Sequence, residues 1–204
     1  MAANQEKIDL FKEHKEEYRA GKKPAIVRTT PAQYLCIEGQ GPPGGDEFEE
    51  RIGALYGMAF TIKMTRKFAG LGDYVVCKLE AIWSAPKGKM LEETTINEWC
   101  WKMMIRTPDC VKQADLDRAV EALLSKGKAE KVKEVRLETI CEGQCVQMLH
   151  VGPYEALGGS YTSMGRFAEE NNLTANGNPH DIYLSDPRRV DPEKLKTIIR
   201  RPVK

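Results

Sequence analysis

The sequence predicts an α+β fold in which two tandem pseudo-twofold βαββ repeats form an antiparallel sheet, with helices on one face and a concave ligand groove on the other. Three observations predict it. First, "YLCIEGQGPP" and "CVQMLHVGPY" both end a strand-like run in a Gly-Pro turn, which sets Gly41-Pro42 against Gly152-Pro153. Second, each turn opens a helix whose apolar residues are spaced four then three, a spacing that keeps them on one face. They are Phe48, Ile52 and Leu55 in the first repeat and Leu157, Tyr161 and Met164 in the second. Third, two more strand-like runs follow each helix: "DYVVCKLEAIWS" and "EWCWKMMIRTP", then "HDIYLSDP" and "LKTIIRRPV". In this correspondence Glu80 matches Asp181, and Ile105-Arg106 matches Ile199-Arg200.

Taken in order, residues 5–20 place Ile8, Phe11 and Tyr18 on one stripe among mixed charges, which predicts an amphipathic helix. Residues 21–31 are β-branched and broken by Pro24 and Pro31, so they read as extended chain leading into a strand near 33–38. The first repeat then runs over 31–108. Residues 109–134 connect the halves through a helix over 114–126, which carries Leu116, Ala119, Val120, Leu123 and Leu124 on one face and stops at Gly127. The second repeat spans 135–204, and the whole chain, 1–204, reads as a single domain.

Composition restricts the chemistry. Thirty-one basic and thirty acidic side chains leave a net charge of +1, so no overall field recruits a polyanion, and no nucleic acid partner is expected. No run approaches the roughly 18 apolar residues of a membrane span, and the N-terminus is too polar for a signal peptide. A cytoplasmic protein with no membrane partner is therefore expected. Cys36, Cys77, Cys100, Cys110, Cys141 and Cys145 form no CxxC pair and read as buried free thiols. With only His14, His150 and His180 to draw on, far apart in sequence, no metal and no other cofactor is expected.

The stretch "HDIYLSDPRR" alternates Asp181 and Tyr183 with Ile182 and Leu184, putting an acid and an aromatic ring on one strand face. The three tryptophans, Trp83, Trp99 and Trp101, all lie in strand-like runs. Trp99, Trp101 and Met103 alternate onto one face, as core or as a stacking wall for a planar or cationic ligand. Tyr154 and Tyr183 offer further rings with hydroxyl handles. Glu155 follows Gly-Pro-Tyr, where it serves either a helix N-terminus or proton transfer. His150 is either a proton carrier or a structural histidine. The basic tail, from Arg188 to Arg201, reads as solvated surface.

On the segments "GPYEAL", "EWCWKMMIRTPD" and "HDIYLSDPRRVDPEKLKTIIRRPV", carried on a tandem βαββ pattern, the chain resembles the GyrI-like small-molecule-binding family of the bacterial effector-binding superfamily. The resemblance covers about residues 1–204. It implies a groove for bulky planar or cationic aromatic compounds with a carboxylate at its floor. With no helix-turn-helix signal, the chain resembles the stand-alone subgroup, some of whose members are hydrolases that open the cyclopropane of DNA-alkylating natural products, a form of xenobiotic detoxification. On that basis Asp181 and Glu155 are the candidate catalytic residues. Glu80, Trp83, Trp99, Trp101, Met103, His150, Tyr154 and Tyr183 are the candidate ligand contacts. Two departures stand out: Asp181 occupies a position where members commonly carry Glu, and Trp83-Ser84 stands where they carry two tryptophans. A non-catalytic drug sensor or sequestering protein, a partner of a topoisomerase, and a tetrapyrrole binder are the alternatives.

Overall fold

In the computed structural model, which describes residues 7–204, the elements in chain order are α1 (Leu10–Glu13), α2 (Lys15–Tyr18), β1 (Ala25–Arg28), β2 (Ala32–Gln40), α3 (Asp46–Phe68), β3 (Leu79–Ser84), β4 (Cys100–Arg106), α4 (Gln113–Leu124), β5 (Arg136–Ile140), β6 (Gln144–Val151), α5 (Leu157–Glu170), β7 (His180–Tyr183) and β8 (Lys196–Pro202). The class is α+β with antiparallel strands, and both strand–helix–strand–strand orders are present, as β2-α3-β3-β4 and β6-α5-β7-β8. Contacts divide the chain into two units. The first holds residues 7–13, Ala32–Cys77 and Ala85–Ile140; the second holds His14–Pro31, Lys78–Ser84 and Cys141–Lys204.

In the first unit β2 pairs antiparallel with β4 on one side and β5 on the other, so that Leu35 lies across from both Ile105 and Leu137. The long helix α3 packs on these strands through Ala54, Leu55, Met58, Ala59 and Ile62. Asp46, Glu47 and Glu49 in its first turn and Arg66 and Lys67 in its last complement the helix dipole. Arg66 turns inward and donates to Asp115 of α4 at 2.8 Å, while Arg118 donates to the other Asp115 oxygen at 2.6 Å. That pairing ties the two helices together.

The second unit has five antiparallel strands in the order β1-β6-β8-β7-β3, drawn from three separate stretches of chain. Side chains alternate between its two faces. Helix α5 covers one face, where Leu157, Tyr161, Met164, Phe167 and Ala168 pack on Val146, Met148 and Ile199. The predicted helical stripe thus becomes the packing surface.

Several boundaries differ from the sequence expectation. Residues 7–20 form two short turns rather than one helix, because His14 leaves helical dihedrals (φ −105°, ψ 45°); residues 5 and 6 lie outside the described residues. Only Leu79–Ser84 of "DYVVCKLEAIWS" is strand, while Tyr74 makes an isolated bridge to Ile8. The helix expected over 114–126 is α4, ending at Leu124, and Gly127 supplies the left-handed turn beyond it at φ +70°. The units also cut across the repeats: β3 joins β7 in the second unit, and β5 joins β2 in the first.

Candidate functional site around Asp181

Strand β7 lies between β3 and β8, with Asp181 directly across from Ala81 on one neighbour and Ile199 on the other. Residues across an antiparallel pair share a face, and so do residues two apart along a strand. Asp181, Trp83, Tyr183, Thr197 and His150 therefore lie on the face that α5 covers. Asp181 is only 3% exposed. The Trp83 Nε1–H donates to its Oδ2 at 2.9 Å, and the Tyr161 hydroxyl, reaching down from α5, donates to its Oδ1 at 2.6 Å.

The electrostatics follow from this burial. Loss of hydration raises the Asp181 pKa above the ordinary carboxylate value, and the hydrogen bonds from Tyr161 and Trp83 offset part of the rise. Burial, with the neighbouring Asp181 charge, drives the hydroxyls of Tyr161 and Tyr183 well above the usual tyrosine value and raises that of Tyr154. All three stay protonated at neutral pH as hydrogen-bond donors. Tyr154 and Tyr183 meet edge to face, with centroids 5.7 Å apart and planes at 80°. The result is a carboxylate whose hydrogen-bond donors are neutral, framed by one indole and three phenol rings. Such an environment favours either proton exchange near neutrality or a cationic ligand to balance the charge.

His150 holds the neighbouring turn. One ring nitrogen lies 3.1 Å from the Pro153 carbonyl and the other 2.9 Å from Ser160 Oγ. A carbonyl only accepts, so Nε2 carries the proton and Nδ1 accepts from Ser160. The histidine thereby fastens the Gly152-Pro153 turn to the start of α5.

Other predicted site residues lie elsewhere. Glu80 was expected to approach the same groove as Asp181. The register instead sets Glu80 across from Ile182 and Ala81 across from Asp181, which points the two acids to opposite faces of the second unit. Glu80 accepts from the Tyr18 hydroxyl at 2.7 Å and from His180 Nε2 at 3.0 Å, within a buried polar network. The network continues from His180 Nδ1 to Glu142 at 3.0 Å. Arg200 then donates to Glu142 at 3.0 Å, to Gln147 at 2.8 Å and to the Glu17 carbonyl at 2.6 Å.

Trp101 and Met103, expected on a ligand wall, are 2% and 0% exposed in the first unit. The Trp101 ring lies over Gly39, where a Cβ would come within 2.3 Å of it, and it meets Phe48 edge to face and the Arg51 guanidinium at 5.8 Å. It is core packing beneath α3, made possible because Gly39 has no side chain. Trp99 is half-buried at the entry to β4, and Glu155 is exposed on the turn that carries Tyr154.

Two residues that belong to the cluster went unassigned as site residues. Tyr161 read as one more apolar stripe residue, although a tyrosine on a packed helix face needs a partner for its hydroxyl, and that need was its signal. Thr197 gave no signal beyond its place in a strand. Of the six thiols, all free, Cys36, Cys77 and Cys145 are buried as expected, while Cys110 and Cys141 are exposed. Among the described residues no group of three or more His, Cys, Asp or Glu side chains is gathered to hold a metal. No helix of the described residues is long and apolar enough to cross a membrane.

A sheet of antiparallel strands under a helix, with a buried acid among aromatic rings, suits a small-molecule-binding domain. The chain belongs to one such family: residues 22–204 match the GyrI-like small molecule binding domain. Two solved structures from Listeria innocua are similar over nearly the whole chain. One is a conserved protein, 36% identical over 97% of this chain and 100% of its own, with a TM-score of 0.90. The other is a hydrolase, 35% identical over 98% of this chain and 100% of its own, with a TM-score of 0.88. The C-terminal domain of EcmrR shares the fold at 13% identity, covering 89% of this chain and 97% of its own with a TM-score of 0.58. No curated protein is similar enough to count as a match.

Proposed function

We propose that this protein binds bulky planar or cationic aromatic compounds at Asp181 and hydrolyses the strained cyclopropane of DNA-alkylating compounds, detoxifying them in the cytoplasm. The observation that carries the reading is the Asp181 carboxylate, buried, oriented by Trp83 and Tyr161, and framed by aromatic rings. The 35% identity to a hydrolase supports turnover, and six thiols without a disulfide suit a reducing compartment. The partner is the small molecule, with no nucleic acid or membrane partner expected.

In the proposed reaction a water oxygen attacks the ring methylene while Asp181 takes its proton. The carbon–carbon bond breaks, its electron pair moves into the conjugated carbonyl, and the resulting phenolate takes up the proton that Asp181 received, which regenerates the carboxylate. One water is added across one bond. The raised pKa of Asp181 brings a carboxylate towards the range where it exchanges protons near neutral pH. Protonated tyrosines provide donors for the oxygen that gains charge. Glu155, exposed beside Tyr154, reaches a substrate only at the rim, so Glu155→Gln is expected to lower turnover less than Asp181→Asn.

The test is product formation from a spirocyclopropyl substrate by mass spectrometry, alongside quenching of tryptophan fluorescence by a lipophilic aromatic cation such as crystal violet. Asp181→Asn is expected to abolish product and weaken cation binding. Wild-type rates in Asp181→Asn end the case for this acid; binding without product in the wild type makes the protein a sensor or sequestering protein instead.

A further inference from the structure

Thr197 of β8 is 1% exposed, and its hydroxyl has no hydrogen-bond partner within the protein. A threonine buried in a strand with its hydroxyl unpaired is a costly choice where valine has the same shape, because an unmade hydrogen bond is not compensated by packing. The position gives the hydroxyl something to do. Register sets Thr197 directly between His150 on β6 and Tyr183 on β7, on the face that α5 covers. Asp181, two residues before Tyr183, is its diagonal neighbour, a separation of roughly 7–8 Å between backbones that a single water between the side chains can span.

The neighbours narrow the choice of partner. Both His150 nitrogens are engaged, by Ser160 and by the Pro153 carbonyl. The Asp181 oxygens accept from Trp83 and Tyr161, the Tyr183 hydroxyl also interacts with the carboxylate, and a carboxylate has about four acceptor sites. Asp181 thus keeps acceptor capacity on the face where Thr197 has a hydroxyl to place.

We propose that Thr197 Oγ1 and Asp181 together hold one water on the α5-covered face. Thr197 donates to the water oxygen, the water donates one proton to Asp181, and the remaining lone pair points away from the strands. In the hydrolysis proposed above, on which this assignment of purpose rests, that is the attacking water, and Thr197 is a positioning residue. The oxygen of the water forms the new bond to the ring methylene, and a proton of the water passes to Asp181. A ligand with a hydroxyl or carbonyl oxygen takes the same place when no turnover occurs.

The experiment uses the full chain with Thr197→Val, Thr197→Ser, Asp181→Asn and the Thr197→Val/Asp181→Asn double variant. A high-resolution crystal structure of the wild type is expected to show one water within hydrogen-bond distance of both side chains, absent in Thr197→Val. Thermal melting of the four proteins is expected to be non-additive for the Val/Asn pair. With the spirocyclopropyl substrate, Thr197→Val should lower kcat about tenfold or more with KM changed by less than about twofold, and Thr197→Ser should restore the rate. A dry Thr197 hydroxyl, a water that does not touch Asp181, or an additive cycle overturns the shared water. Wild-type kcat in Thr197→Val, with Asp181→Asn inactive, overturns the positioning role while leaving the function of Asp181 intact. Wild-type kcat in Asp181→Asn overturns the hydrolase reading, and the water is then decided by the crystal structure and the melting cycle.

Discussion

A carboxylate under a helix is held there at a cost that its neighbours only partly offset. The pKa of Asp181 is raised because burial penalises its charged form, so its contribution to stability is fully present below its ordinary value of 3.8 and falls as pH rises through the shifted value. Above that shifted value the charge works against folding. Asp181→Asn removes that charge and keeps the shape, so it should change stability by about 1 kcal/mol or less, measured by urea denaturation at pH 7, while function is lost. Trp101 presents the opposite case, an aromatic ring with a structural task. Trp101→Ala should cost about 3–5 kcal/mol, the usual range for emptying a buried aromatic site, and Gly39→Ala should also destabilise because its new methyl meets the indole at 2.3 Å. If Trp101→Ala melts like the wild type and only ligand binding suffers, the ring belongs to a binding wall after all.

Among the elements, the segment from α2 to β1 depends on charge for its seat. Tyr18 donates to Glu80, and the backbone carbonyls of Glu17 and Arg19 accept from Arg200 and Gln147, so this stretch is fastened to the face of the second unit opposite α5 by a buried polar network. His180 sits at its centre between two acids. Burial lowers its pKa, but Glu142 and Glu80 outweigh that and lift it to about 9, so both ring nitrogens donate at neutral pH. Burial likewise raises Glu142, but His180 and Arg200 overcome it and hold the acid at about 2. The signs follow by linkage. The His180 contribution is full below its ordinary 6.5 and is lost as pH rises through about 9, while that of Glu142 is full above 4.5 and is lost as pH falls through about 2. Stability should therefore decline from pH 7 to pH 10, and amide hydrogen exchange corrected for its intrinsic pH dependence should show residues 17–21 losing protection over that range. His180→Ala takes away the cation between two buried acids, leaving Glu80 with the Tyr18 hydroxyl and Glu142 with Arg200 among the described residues, and should cost about 3–5 kcal/mol. A flat melting profile from pH 7 to pH 10 would show that the imidazole is not charged.

For the whole molecule, the second unit cannot be cut out as the second half of the chain. Its sheet needs β1 from residues 25–28 beside β6 and β3 from residues 79–84 beside β7, and Trp83 and Glu80 arrive on that same β3. Residues 109–204 expressed alone should thus lack one strand at each edge, the Trp83 bond to Asp181 and the Glu80 bond to His180. Such a fragment is expected to give a poorly dispersed proton NMR spectrum and no cooperative melt. A folded fragment with a sharp transition would mean that the second repeat is self-sufficient.

By itself the sequence determined the order of the elements and singled out Asp181 as the candidate acid. Gly-Pro turns, the four-three stripes and the alternation in "HDIYLSDP" are local patterns, and local geometry is enough to turn them into a helix face or a strand face. Asp181 beside Tyr183 was legible in that way, and so was helix α5, but the sequence reading set the acid on the face opposite the helices, whereas α5 lies over it and Tyr161 reaches its carboxylate. The residues that complete the site were decided by pairing between distant segments. A one-residue step in the β3–β7 register is what separates Glu80 from Asp181, since side chains on a strand change face at every residue. Trp83 was foreseen as a ring but not as the donor to Asp181, and Tyr161 was foreseen as packing; both roles required knowing which strand and which helix meet at β7. Trp101 was decided by Gly39, sixty-two positions earlier and directly across the ladder, whose missing side chain lets an indole lie on the strand as core. Periodicity assigns a face to each residue, but only the tertiary fold decides what covers that face.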